Sequence, residues 1–174
     1  MENMYHVHSF FFLTLIRQIL LLIFAILFLV IEMRRFYIFN IREELMSLYK
    51  DNPDNLYKIL SSIHNMKEQE LVYAYNLFQQ ICITFDTLSL NNKLYLKMHN
   101  DLVYTKIDNE HIINNLYKDE VSILKIKKSH LVLDSNTSYS SFFSFLNEYN
   151  TNLFVCDFLD NDYFFLDKMH LVVE

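Results

Sequence analysis

The chain of 174 residues contains no glycine and no tryptophan, and Pro53 is its single proline. Average usage of ~7% would give roughly a dozen glycines. Without glycine there is no phosphate-cradling loop, no dinucleotide-binding fingerprint and no nucleophile elbow, because each needs backbone to turn sharply or to approach a ligand closely. Turn positions with positive φ must fall instead to Asn and Asp, the next most tolerant residues. Basic charge is also short. Fifteen Lys and Arg stand against 21 Asp and Glu, for a net charge of −6. That balance argues against a nucleic-acid binder, whose footprint is a basic face. The densest basic run, Lys125-Ile-Lys127-Lys128, reads as a solvated strand end. The two cysteines, Cys82 and Cys156, lie far apart in apolar stretches. They read as buried free thiols of a reducing compartment, with a disulfide or a catalytic thiol as the alternatives.

What is present divides at Met33. From Ser9 to Ile31 the chain reads SFFFLTLIRQILLLIFAILFLVI, a run of 23 residues. That is long enough for a hydrocarbon layer of ~30 Å. Arg17 interrupts it at a cost of roughly 2.5–3.5 kcal/mol, which the apolar residues from Ile19 to Ile31 offset. With Arg34 and Arg35 following, a span would place the C-terminal part in the cytoplasm. No basic n-region and no small-x-small site suggests a cleaved signal peptide. The preferred expectation is that residues 1–32 are translated upstream DNA. Leu29-Val30-Ile31-Glu32 is compatible with a purine-rich ribosome-binding stretch just before a start at Met33. A genuine membrane anchor and a core helix are the alternatives. The His6-x-His8 pair has no third ligand nearby for a metal.

Residues 33–174 read as one small α+β domain with a largely antiparallel sheet and packed helices. Strands are expected near 34–41, 120–126, 130–134 and 152–158. Helices are expected near 42–51, 53–64, 66–83 and 138–149. Asn52-Pro53 supplies an N-cap and a first-turn proline. Asn65-x-x-Glu68 reads as a capping box for the third helix, lined by Leu71, Tyr75, Phe78 and Ile81 or Cys82. Leu45, Leu48 and Tyr49 give the first helix its spacing. The first strand is apolar on both faces, with Phe36 and Ile38 on one and Tyr37, Phe39 and Ile41 on the other. It should therefore be central. Leu94–Met98 fits strand or helix, and Glu110-His-Ile-Ile-Asn-Asn-Leu looks helical. Asp160-Asn161-Asp162 reads as a turn leading into Tyr163.

The chemical motifs are few. Glu43 and Glu44 are adjacent on a helix, so they face different ways and read as a solvated helix start rather than an acid–base pair. Glu110-His111 lacks a second His at helical spacing, which argues against zinc. No cofactor, metal or catalytic residue is assigned, and the expectation is a protein that is not an enzyme.

The wording at both ends resembles the sporulation inhibitor of replication (SirA) family. The N-terminal part reads Arg35-Phe-Tyr-Ile-Phe-Asn-Ile-Arg-Glu-Glu-Leu45, then Tyr49, then an apolar helix from Leu56. The C-terminal part has Phe142-Phe143, then Asp157-Phe158, a polar turn, and Tyr163-Phe-Phe-Leu166. The resemblance implies a small cytoplasmic protein that binds the N-terminal domain of the replication initiator DnaA, without contacting nucleic acid itself, and blocks initiation during sporulation. It implies partner-binding positions at Leu45 and Tyr49. Two departures stand out: Leu45 is aliphatic where relatives can carry an aromatic, and Asp167-Lys168 replaces an Asn-Pro that tends to follow the final Tyr-x-x-Leu. A membrane-anchored small cytoplasmic domain of unknown interaction role is the alternative.

Overall fold

A computed structural model of the chain describes residues 33–169. The readings of residues 1–32 as translated upstream DNA before a start at Met33, as a membrane anchor or as a core helix, and of His6 and His8, lie outside the described residues.

The core of the fold is an eight-stranded antiparallel sheet. Its strands are β1 (Arg34–Ile41), β2 (Cys82–Ile83), β3 (Tyr104–Ile107), β4 (Glu110–Asn115), β5 (Glu120–Ile126), β6 (Leu131–Ser135), β7 (Leu153–Asp157) and β8 (Asp162–Phe165). The order across the sheet is β3-β4-β5-β6-β1-β7-β8. β1 is central, as its two apolar faces demand, with Arg34 opposite Ser135 of β6 and Ile38 opposite Val155 of β7. Where β6 runs out, opposite Ile38, the two-residue β2 takes over and pairs with Asn40 and Ile41.

Five α-helices among the described residues cover both faces: α1 (Glu43–Lys50), α2 (Pro53–His64), α3 (Leu71–Ile81), α4 (Thr87–Met98) and α5 (Ser141–Tyr149). Phe36 and Ile38 of β1 pack with Leu90 and Leu94 of α4 and with Phe142, Phe143 and Leu146 of α5. The rings of Phe36 and Phe143 meet edge to face at 5.5 Å, a preferred aromatic geometry. Phe39 and Ile41 point the other way, into Met46 of α1, Leu56, Tyr57 and Leu60 of α2, and Phe78 and Ile81 of α3. The alternation along one strand thus divides the core in two.

Several expectations need correction. Glu110–Asn115 is a strand, not a helix. Its inward residues, His111 and Ile113, alternate with half-buried Ile112, which is strand periodicity. A two-residue loop, Asp108-Asn109, turns β3 back into it, with Asp108 at φ 50°. Leu94–Met98 belongs to a helix, whose N-cap Asp86 accepts the Ser89 N–H. The third helix begins only at Leu71, after a 3₁₀ turn over Glu68–Glu70. Asn65 caps the end of α2 instead, its side chain donating to the Ser61 carbonyl. The later start rotates the reading of α3: Ala74, Phe78 and Ile81 are its buried residues, while Leu71 and Tyr75 are exposed. On α1 the buried residue is Met46, and Leu48 faces solvent. α5 starts at Ser141, capped by the Ser140 hydroxyl rather than from Asn136–Ser138. Among the described residues the positive-φ positions are Asp108, Asp119 and Asn161, the residue types a glycine-free chain must use.

Candidate functional site

The α1 helix leaves the end of β1 and is held at both ends. At its start the Arg42 N–H donates to the Ile81 carbonyl at 2.9 Å, and the Arg42 Nε donates to the Gln79 carbonyl at 2.9 Å. These bonds join the start of α1 to the last turn of α3. At its other end Lys50 Nζ meets Asp167 Oδ2 at 2.6 Å, and Lys168 Nζ donates to the Lys50 carbonyl. The first-turn acids Glu43 and Glu44 are exposed, where they complement the helix dipole. Met46 anchors the inner side of α1.

Leu45 and Tyr49 are four residues apart and so share one side of the helix. Both are half-buried, touching the core formed by Phe39, Met46 and Leu56 while leaving part of their surface in water. Leu48 adds a third, exposed apolar side chain to α1. Beyond the Arg42 junction, Val72 and Tyr75 stand exposed on α3, with the Tyr75 hydroxyl accepting from Gln79 Nε2 at 3.0 Å. The α3 side chains were missed by sequence reasoning. Their signal is Ala74: taking the small residue as the inward one turns Leu71 and Tyr75 outward.

Elsewhere, among the described residues, Asn147 Oδ1 and Asp167 Oδ1 are buried without a hydrogen-bond partner, while the following buried polar groups are satisfied. The His111 imidazole is wholly buried between Tyr104, whose hydroxyl lies 2.6 Å from Nδ1, and Asn91, whose Oδ1 lies 2.8 Å from Nε2. An amide oxygen only accepts, so Nε2 carries the proton and Nδ1 accepts from the phenol. Burial, with Lys106 adding to it, pushes the His111 pKa down to about 4. Burial pushes the Tyr104 phenol up to about 12. Buried Glu120 accepts from the hydroxyls of Ser122, Ser140 and Ser141 and from the Ser141 N–H at 2.7 Å. It therefore sits at the N-terminus of α5, where a carboxylate is favoured.

Cys82 and Cys156 are free and buried. Burial pushes the Cys82 thiol up to about 12 despite Arg42 nearby, and raises Cys156 as well. A catalytic cysteine needs the opposite shift. Among the described residues no group of three or more His, Cys, Asp and Glu is placed to hold a metal ion. Among them, too, no helix is long and apolar enough to cross a membrane.

A comparison with curated proteins gives no match. The family model described as sporulation inhibitor of replication protein SirA matches residues 34–170. It takes in the whole sheet and all five helices, and both stretches of wording that carry the resemblance. The chain therefore belongs to the SirA family of sporulation inhibitors of replication, a family of regulatory proteins.

Proposed function

We propose that this chain inhibits replication by binding the N-terminal domain of DnaA through the outer side of α1, with Leu45 and Tyr49 at the contact. The observation that carries the reading is the state of Tyr49. It is half-buried on a helix whose inner side is pinned by Met46, so its ring is held in place yet presents a free surface. A partly fixed tyrosine loses little entropy on binding and combines apolar area with a hydroxyl, which makes Tyr an enriched anchor at interfaces. Leu48 adds an exposed apolar side chain on the same helix. On this reading the functional unit is residues 33–174, and the apolar extension takes no part in the contact.

The test is titration of the full chain with purified DnaA N-terminal domain. Loss of an anchor typically costs ~2 kcal/mol, about thirtyfold in affinity. Tyr49→Ala should weaken binding by that order while the domain stays folded, with only a modest drop in its thermal transition. Absence of association at tens of micromolar, or Tyr49→Ala binding as tightly as the parent chain, overturns the assignment.

A further inference from the structure

The helix that carries Leu45 and Tyr49 has little of its own to hold it. α1 is eight residues long, with Met46 as its buried side chain. An isolated helix of two turns is not stable in water, so its order comes from tertiary contacts. Its start has the Arg42 bonds to Ile81 and Gln79. Its last turn, where Tyr49 sits, is gripped by two neighbouring residues from far along the chain. Lys50 Nζ donates to Asp167 Oδ2 at 2.6 Å, and the Lys50 carbonyl accepts from Lys168 Nζ at 2.7 Å. The second bond fills one of the carbonyls that a helix end leaves open. Among the described residues no other hydrogen bond ties this turn to a distant segment. The gripping residues are themselves fixed. They belong to the 3₁₀ turn Leu166–Lys168, whose Leu166 is buried in the core half of Phe36. Phe165, just before it, is buried in the half of Phe39.

The grip adds little to the stability of the whole domain. The Lys50 and Asp167 side chains are 36% and 22% exposed, and ion pairs within reach of water contribute little to folding. Asp167 Oδ1 is buried with no hydrogen-bond partner, which is unfavourable. Holding a lysine in one rotamer also costs side-chain entropy. What these bonds supply is a fixed place for one turn of one helix, beside Tyr49. A side chain already held in place loses less entropy on binding than one that must first be ordered. We propose that Asp167 and Lys168 are positioning residues for Tyr49, holding the last turn of α1 in the orientation that a protein partner meets. This rests on the reading of Tyr49 as a partner anchor. Because an ion pair does part of the holding, salt should loosen it.

The test uses the full chain with Asp167→Asn, the conservative Asp167→Glu and, as control, Asp134→Asn. Asp134 pairs with Arg35 at 2.6 Å, at the end of β1 away from α1. Two readouts are taken: amide hydrogen exchange in the free chain, and affinity for purified DnaA N-terminal domain. In Asp167→Asn the amides of residues 47–50 should exchange about fivefold faster, the worth of one such ion pair, while those of β1 and α2 keep their rates. Affinity should fall by a similar factor, and Asp167→Glu should recover most of it. Salt raised from about 0.05 to about 0.5 M should speed the exchange of 47–50 in the parent chain and leave it unchanged in Asp167→Asn. Asp134→Asn should match the parent in both readouts. Exchange over 47–50 that is the same in Asp167→Asn as in the parent overturns the proposal. So does Asp167→Asn binding as tightly as the parent, or Asp134→Asn losing as much affinity as Asp167→Asn. A parent chain that does not bind the DnaA domain overturns the reading of Tyr49 as its anchor, and the exchange rates then decide the holding of α1 by themselves.

Discussion

Lowering the pH should destabilise the domain through His111, by an amount the structure sets. The ring is sealed between Tyr104 and Asn91 as a neutral base with its pKa near 4. In the unfolded chain it returns to about 6.5. Above pH 6.5 both states are neutral and the ring adds no pH dependence. Between 6.5 and 4 the unfolded chain takes a proton that the folded one refuses, so stability falls with pH. At pH 5 the imbalance amounts to about 2 kcal/mol, and below pH 4 it approaches its limit of about 3.4 kcal/mol. His130, also pushed down to about 4 by burial with Lys127 and His64 adding to it, acts in the same window. Urea unfolding between pH 7 and pH 5 should therefore show a slope of up to two protons. His111→Gln should be less stable at pH 7 yet lose one of those protons from the slope. A slope unchanged in His111→Gln, or an imidazole resonance of His111 titrating near 6.5 in the native protein, would refute the reasoning.

Other substitutions separate the roles of individual residues. Glu120→Ala leaves the Ser141 N–H without its acceptor, and the serine hydroxyls can re-pair only among themselves; a loss of about 3 kcal/mol is expected by urea titration. Phe36→Ala opens the centre of the sheet and should cost about 3–5 kcal/mol in the same assay, whereas Tyr49→Ala should shift DnaA binding and lower the unfolding midpoint far less than Phe36→Ala does. Cys82 and Cys156 should stay unreactive toward a thiol reagent at pH 8 until denaturant is added, and rapid modification of the native protein would contradict their burial.

The legible parts of the sequence are those where one period dominates. β1 has alternating apolar residues on both faces, which only a central, doubly covered strand can satisfy, and the structure places it between β6 and β7. β5 and β6 were legible as strands from two short apolar runs separated by the polar Lys127-Lys128-Ser129. The stretch from 88 to 118 was not. His111 is polar by residue type but lies inside the sheet, so its strand looks irregular until its partners Tyr104 and Asn91 are known. Those partners come from another strand and another helix, and pairing of that kind leaves no local trace. The α3 helix failed differently: a 3₁₀ turn delayed its start and moved Leu71 and Tyr75 to the outside. At the candidate site the sequence supplied Leu45 and Tyr49. How the start of α1 is held to the end of α3 depends on the Arg42 bonds to Gln79 and Ile81, which are tertiary.

The central position of β1 has a consequence for synthesis. β1 emerges from the ribosome first, but its ladder partners, β6 and β7, lie roughly a hundred residues or more downstream. At about 5–20 residues per second, most of this strand, all but the Asn40–Ile41 end that β2 pairs, waits on the order of 5–20 s without a neighbour on either edge. An unpaired strand of this kind, apolar on both faces and free of proline and glycine, is a template for pairing with other chains. The domain therefore cannot close strand by strand as it is made. Both halves of its core, which divide along Phe36–Ile38 and Phe39–Ile41, are completed by the last quarter of the chain. A ribosome that stops before β7 would release a product whose first strand has lost one whole edge, and such fragments should depend on chaperones in a way that the finished protein does not.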